Sequence, residues 1–317
     1  MKLLVFLPAF NEEKTIGDII KRVPRQITGI KIVDVLVVDD GSTDRTGEIA
    51  SEAGANVVTH EYNKGLGMAF QRGVKEALQG GYDIMVNIDA DGQFEAMDIP
   101  KLVEPIVNQK ADFVTASRFI DPNMIPKMSS LKRWGNRRVS RLISFIAKKK
   151  YYDVSCGFRA FSRVVLLNLN LFSKFTYTHE TFLNVIFKDL HILEVPIEVR
   201  GEREFGNSKI ADSLFKYGYN IFNTIFRTIL DYKPLKFFGW AGVFLFGIGA
   251  ALDLFVVGRL LFLGEITPYK SVGFAGLALN IFGMLLLIVG LLADMINKTR
   301  LTQERMLYYQ KKKMYQR

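Results

Sequence analysis

The first 120 residues alternate short apolar runs with amphipathic stretches. Leu3–Leu7 is continuously apolar and is stopped by Pro8, and Thr15–Val23 spaces its apolar residues as a helix does. Val33–Val38 is rich in β-branched residues and ends at Asp39-Asp40. Thr46–Ala53 follows as a helix, with Thr43-Asp44 placed to cap it. The same alternation continues with a strand at Asn56–Thr59, a helix at Gly67–Leu78, a strand at Ile84–Ile88, a helix at Ile99–Asn108 and a strand at Phe113–Ser117. Strands alternating with helices of this length predict parallel βαβ units, hence an α/β fold with a mostly parallel sheet. Such sheets bind ligands beyond the carboxyl ends of their strands. The polar clusters stand at those ends: Pro8–Glu13, Asp39–Asp44, Asp89–Gln93 and Ser117-Arg118. The opening MKLLVFLPAF has the apolar character of a secretion signal. Pro8 and Asn11-Glu12-Glu13 cut it short and no small-residue cleavage site follows, so it reads as a buried first strand.

The pattern changes after residue 230. Residues 237–263 carry only Asp253 and Arg259 as charges, and residues 272–293 carry none. At about 1.5 Å per residue the second run reaches roughly 33 Å, enough to cross a hydrocarbon core of about 30 Å. Together they predict a two-helix transmembrane hairpin within residues 235–296. A carboxylate in mid-membrane is costly, so Asp253 is expected to face the partner helix or to be protonated, and Arg259 to snorkel. Lys233 and Lys236 precede the hairpin, Lys298, Arg300 and Lys311–Lys313 follow it, and only Lys270 lies between. That asymmetry predicts both flanks on the cytoplasmic side, with 297–317 as a basic tail. Residues 210–234, rich in Phe and Tyr, read as amphipathic helices at the interface.

Composition adds limits. The net charge of +10 is concentrated in residues 127–150, with nine Lys/Arg and no acid, and in the last twenty residues. In 127–150 the cations interleave with Leu131, Trp134, Leu142, Ile143 and Phe145, as in a helix lying on an anionic leaflet. The hairpin makes lipid, not nucleic acid, the expected partner. One cysteine, Cys156, excludes an internal disulfide. A dinucleotide fold is excluded as well, because PAFNEE stands where its glycine-rich turn belongs, and no GxxxxGK[ST] phosphate loop occurs.

Candidate chemistry centres on Asp89-Ala90-Asp91-Gly92-Gln93. In extended backbone, residues two apart point the same way, so Asp89, Asp91 and Gln93 aim oxygen donors at one point. Hard oxygen ligands suit Mg²⁺ or Mn²⁺ rather than zinc, and such an ion would hold the diphosphate of a nucleotide sugar. An acidic turn after a strand is the plainer alternative.

PAFNEE, VVDDGSTDRT and NIDADGQ, in this order and spacing, resemble the family-2 glycosyltransferases of GT-A fold, over residues 1–209. The stretch DVSCGFR at 153–159 is similar to the DxxSGFR of polyprenyl-phosphate glycosyltransferases of the dolichol-phosphate mannose synthase type, with Cys156 as a departure. REFGNSK at 203–209 is similar to their RxxGxSK loop. The resemblance implies that Pro8, Phe10 and Glu12 line a nucleotide pocket and that Asp40 hydrogen-bonds the base. Asp89, Ala90 and Asp91 would then meet the nucleotide sugar, and Asp89, Asp91 and Gln93 the Mg²⁺ or Mn²⁺. Bland alternatives stand beside these: Pro8 ending a strand, Phe10 in the core, Asp40 capping a helix. Arg118, Arg203 and Lys209 are expected to clamp phosphates, and Arg118 and Arg133 to meet the phosphate of the acceptor. Asp91 is expected to be catalytic. Asp153 and Glu180 are further candidates, although a lipid phosphate, already ionised, needs no general base.

The implied reaction is the inverting transfer of one sugar from a nucleoside-diphosphate sugar to undecaprenyl or dolichyl phosphate, at the plasma membrane of a prokaryote. A UDP-sugar is favoured over GDP-mannose because a two-helix anchor resembles bacterial undecaprenyl-phosphate enzymes. A glycolipid or polysaccharide acceptor, or a non-catalytic scaffold, is the alternative, and self-association in the membrane is open.

Overall fold

The computed structural model describes residues 1–171, 177–200, 223, 226, 230 and 232–315. The chain forms two compact units, Met1–Ile225 with Tyr308–Arg317, and Phe226–Leu307. The expected interface helices at 210–234 fall almost wholly outside the described residues, as do Arg203 and Lys209.

The first unit is built on a seven-stranded sheet in the order β3-β2-β1-β4-β6-β5-β7. Its strands are β1 (Lys2–Ala9), β2 (Ile32–Asp39), β3 (Asn56–Thr59), β4 (Ile84–Asn87), β5 (Phe113–Ser117), β6 (Arg159–Ser162) and β7 (Ile192–Pro196). All pair in parallel except β6, which runs against both β4 and β5. The helices are α1 (Ile16–Arg22), α2 (Thr46–Glu52), α3 (Leu66–Gln79), α4 (Ile99–Val107), α5 (Ser130–Ala147), α6 (Arg163–Asn168) and α7 (Thr178–Phe187). The elements predicted up to Ser117 form within one or two residues of their expected ends.

The alternation of β1 divides its side chains between two cores. Leu3, Val5 and Leu7 join Ile16, Ile19 and Ile20 of α1 and Leu102 and Val103 of α4 in one apolar cluster. Phe6 points to the opposite face, where an aromatic layer begins with Phe70 of α3 at 6.0 Å. Phe70 stacks on Tyr177 at 3.9 Å, and Phe113 meets Phe182 of α7 edge-on at 5.8 Å. Every residue of β1 after Lys2 is buried, which explains why this strand reads as a continuous apolar run. Burying each large side chain stabilises the fold by about 1.5–3 kcal/mol.

The second unit is a helical hairpin of α8 (Pro234–Leu263) and the part of α9 (Lys270–Tyr315) up to Leu307, and both helices are long and apolar enough to cross a membrane. Their contact is made by small residues. A Cβ on Gly283 would stand 2.7 Å from the Phe246 amide nitrogen and 2.8 Å from the Gly242 carbonyl oxygen, so the backbones touch. Asp253 of α8 faces its partner, accepting a 2.7 Å hydrogen bond from Asn280 Nδ2 of α9. Arg259 lies over the ring of Tyr269, with its guanidinium carbon 4.7 Å from the ring centre. Residues 298–315, read from sequence as part of a tail, continue α9 without a break. No glycine or proline interrupts them, and i,i+4 pairs span Asp294–Lys298 at 3.0 Å and Arg300–Glu304 at 3.7 Å.

Gly283→Leu should therefore cost the hairpin about 1–3 kcal/mol through overpacking. Gly247→Leu should be tolerated, because a Cβ there meets nothing within 4 Å. Denaturant unfolding of the full chain in detergent, followed by tryptophan fluorescence, reads the difference.

Candidate functional site

The parallel register brings the ends of β1, β2 and β4 to one edge of the sheet, with Ala9 paired to Asp39 and Phe6 to Asn87. The loops that follow β1 and β2 are stitched to each other. Asn11 N donates to Ser42 Oγ at 2.9 Å, and Thr43 N donates back to Asn11 Oδ1 at 2.8 Å. Glu12 N donates to Thr46 Oγ1 at 2.8 Å, and Arg45 N to Glu13 Oε2 at 3.2 Å. Asp44 accepts from Thr46 N at 3.0 Å, so it caps the start of α2 as its sequence context suggests. Asn11 adopts a left-handed backbone (φ 53°), which asparagine accommodates better than most residues.

Asp40 is buried, and its carboxylate is occupied by protein groups. His60 Nδ1 lies 2.7 Å from Oδ1, Lys64 N donates to the same oxygen at 3.0 Å, and Gly65 N donates to Oδ2 at 2.7 Å. Asp40 thus fixes the turn that enters α3. Pro8 lies buried within β1, and Phe10 and Glu12 are partly exposed just beyond it.

Asp89, half-buried, and Asp91, buried, follow β4. The Ala90 carbonyl between them accepts a 2.6 Å hydrogen bond from Thr15 Oγ1, which ties this loop to the start of α1. Asp91 Oδ1 accepts from Gln93 N at 3.1 Å. Gly157 is required beside Asp89, because a Cβ there would lie 2.5 Å from Asp89 Oδ2. Among the described residues no three His, Cys, Asp or Glu side chains converge on one point. Two carboxylates are a fitting set for a hard divalent cation that takes its remaining ligands from phosphate and water.

Beside this edge lies an ion pair that sequence reasoning did not foresee. Asp153 is fully buried, and its two oxygens accept from Arg118 Nε at 2.6 Å and Nη2 at 2.9 Å. Ser155 N donates to Asp153 Oδ1 at 3.2 Å, and the Ser155 hydroxyl lies 2.9 Å from Asn136 Oδ1 on α5. Burial raises the Asp153 carboxyl, but the charge and hydrogen bonds of Arg118, helped by Ser155, outweigh it and hold the group below the ordinary carboxylate range. Glu194 of β7 completes the arrangement, accepting from Tyr152 N at 2.9 Å and Asp153 N at 2.7 Å. Burial raises the Glu194 carboxyl. Nothing in the local sequence around Glu194 signals this role, because its partners lie some forty residues away.

The arginine of the 153–159 stretch is structural. Arg159 is buried between Phe113 and Phe182 and donates to the Thr178 carbonyl at 2.7 Å and the Val154 carbonyl at 2.8 Å. His179 is buried next to it. Burial drives the His179 imidazole down to about 4, and the Arg159 charge acts in the same direction. Cys156 belongs to the apolar core, and burial pushes its thiol up to about 12. Glu180 lies in the first turn of α7, half-buried. Arg133, on α5 close to Asn136, borders a groove of about 360 Å³ that Phe119 and Tyr152 also line.

Residues 4–169 match the model of the family described as Glycosyl transferase family 2. The chain belongs to that family. This family-2 glycosyltransferase is 31% identical over 294 residues to the glycosyltransferase AglJ of Haloferax volcanii, covering 92% of each chain. It is 33% identical over 216 residues to a UDP-N-acetylglucosamine–dolichyl-phosphate N-acetylglucosaminyltransferase of Methanococcus voltae, covering 62% of this chain and 84% of the relative. Among solved structures it resembles glucosyl-3-phosphoglycerate synthase of Mycobacterium tuberculosis in complex with Mn²⁺, UDP and glucosyl-3-phosphoglycerate. The TM-score is 0.56 at 24% identity, over 72% of this chain and 79% of that one. The expected GT-A-like fold is thereby shown.

The buried histidine makes acid stability a test of this arrangement. With a folded value near 4 against about 6.5 unfolded, His179 binds a proton in the unfolded chain first, so stability falls as the pH drops from about 6.5 to 4. The depressed Asp153 contributes stability that is lost only below about pH 4, and the raised Glu194 acts with the opposite sign. Comparison with His179→Gln isolates the histidine. The parent should lose about 3 kcal/mol more than the variant over that window, and equal slopes in denaturant titrations would contradict the assignment.

Proposed function

We propose that this glycosyltransferase moves a single sugar from a nucleoside-diphosphate sugar to a polyprenyl phosphate at a membrane surface. The observation that carries the reading is the pair Asp89 and Asp91 at the end of β4, beside the stitched loops of β1 and β2. The Methanococcus relative, whose name joins a UDP-sugar to a dolichyl phosphate, supports the acceptor class and favours a UDP-sugar. The two apolar helices support a membrane protein. Lysines and arginines at both ends of the hairpin favour a cytoplasmic catalytic unit, and a prokaryotic plasma membrane fits the relatives.

In this reading Pro8, Phe10 and Glu12 border the nucleotide. Asp40 acts on it through the 60–65 turn that its carboxylate holds. Asp89 and Asp91, with Gln93 nearby, would hold Mg²⁺ or Mn²⁺, which when bound stabilises negative charge on a departing diphosphate. The acceptor phosphate attacks the anomeric carbon opposite the leaving group, and configuration inverts. Because that phosphate is already an anion, no side chain has to remove a proton from it. Asp153 fits this economy, since an ionised, fully buried carboxylate chelated by a guanidinium is a poor base and a good positioning group. It orients Arg118 towards phosphate chemistry, with Arg133, Arg203 and Lys209 as further cationic candidates and Glu180 near the acceptor.

The test incubates the full chain in detergent with undecaprenyl phosphate, Mn²⁺ and single UDP- or GDP-sugars, and reads lipid products by mass spectrometry. A polyprenyl phosphate heavier by one sugar residue is expected from the parent. Asp91→Ala should lower the rate at least 100-fold with unchanged thermal stability. Nucleotide release without a lipid-phosphosugar, or near-parental turnover by Asp91→Ala, would overturn the reading.

A further inference from the structure

The first unit includes a piece of chain remote from it in sequence, because Tyr308–Arg317 is compact with Met1–Ile225. Crossing a hydrocarbon core takes about 20 helical residues, whereas α9 has 46. In its last two turns Tyr308, Lys311 and Tyr315 are half-buried, three and four residues apart, so one face of the helix meets the protein. Lys312, Lys313 and Met314, between them, are exposed.

The covered face lies along α6. Lys311 Nζ donates to the Leu169 carbonyl at 2.9 Å and to Asn170 Oδ1 at 3.0 Å, just past the end of α6. Arg163, the first residue of α6, donates from Nη2 to the Tyr315 carbonyl at 2.7 Å and from Nη1 to the Tyr82 carbonyl at 3.0 Å. The end of α9 therefore runs against α6 and grips it at both ends. Each cation meets the carbonyl end of a helix, Lys311 that of α6 and Arg163 that of α9, where the helix dipole favours positive charge. The seat is shared with α7, since Lys188 Nζ donates to the Asn168 carbonyl and Asn184 Nδ2 to that of Asn170 at 3.4 Å. These are directed, charge-assisted bonds to backbone oxygens, and a frayed lysine-rich tail would make none of them. They share no residue with the Asp89–Asp91 loop or the Arg118–Asp153 pair.

We infer that the end of α9 is a latch: it ties the first unit to the hairpin's second helix, in addition to the chain leading into α8, and so serves transfer to a membrane-embedded acceptor. The second half of this inference rests on the sugar-transfer reading above. A second tether raises the effective concentration of a site at its target, by up to about 10²–10⁴-fold.

The test uses the full chain in lipid vesicles. Lys311→Glu sets a carboxylate against the Leu169 carbonyl, Lys311→Arg keeps the cation, and neither touches the apolar core. Hydrogen exchange, which needs no sugar donor, should find 308–315 protected in the parent and in Lys311→Arg. In Lys311→Glu the same residues should exchange about tenfold faster, the loss expected of a charged hydrogen bond, with 272–293 unchanged. Equal exchange in Lys311→Glu and the parent would overturn the latch. In transfer assays the KM for undecaprenyl phosphate in the vesicles should rise in Lys311→Glu by about the same factor. Its kcat and KM with a water-soluble short-chain prenyl phosphate should stay parental. An equal loss with both acceptors would mark a merely structural contact and overturn the tether, as would a parental KM for the vesicle-borne lipid. A parent whose 308–315 protection depends on Lys311, yet which transfers no sugar, would keep the latch and lose the reaction.

Discussion

The architecture of the first unit depends on one constraint: β1 is buried on both faces and hydrogen-bonded on both edges, in parallel, by β2 and β4. A strand so enclosed has no freedom to slip, because a shift of one residue would exchange Leu3, Val5 and Leu7 with Leu4 and Phe6 between two different cores. Parallel pairing then obliges three loops to leave the sheet at the same edge. The chain uses that convergence by hydrogen-bonding the first two loops together and by tying the third to α1 through Thr15 and Ala90. The carboxylates Asp89 and Asp91 are consequently set on a scaffold whose backbone is held from two sides.

A second theme is how the unit deals with buried charge. Asp40 is hydrogen-bonded by amides at the start of α3 and lies against His60, Asp153 is paired with Arg118, and Glu194 accepts from two backbone amides. Breaking such an arrangement leaves an unpaired buried charge, which costs several kcal/mol. Among the described residues Arg159 has no carboxylate in contact and relies on two carbonyls and two aromatic faces, while His179 beside it stays neutral. Charged residues that resemble catalytic groups in a motif are thus divided between anchoring and chemistry.

Much of this was legible in the sequence, and the limits have physical causes. β1, β2 and β4 are readable as largely apolar runs closed by polar clusters, and β3 and β5 as short β-prone stretches between helix-patterned segments. β6 and β7 are not: β6 is four residues long and contains the buried Arg159, and β7 alternates Glu194 with partly exposed neighbours. Asp89, Asp91 and Arg118 stand just past strand ends in the sequence pattern and in the structure. The partners that define Asp40 and Asp153, namely His60, Gly65 and Glu194, are brought to them by topology, and no local spacing encodes that. On α5 the interleaving of cations with apolar residues is readable, but that Ile143 faces inward and Phe145 outward depends on how the helix packs against the rest of the unit, α7 included.

The central claim is that the ends of β1, β2 and β4 form a metal-dependent nucleotide site. Calorimetric titration of UDP into the full chain, with and without Mn²⁺, tests it most directly. The account predicts binding that requires Mn²⁺, is lost in Asp91→Ala and is weakened in Gly157→Ala, where the new methyl group displaces Asp89. Binding of UDP that is indifferent to Mn²⁺ and to the loss of the Asp91 carboxylate would contradict it.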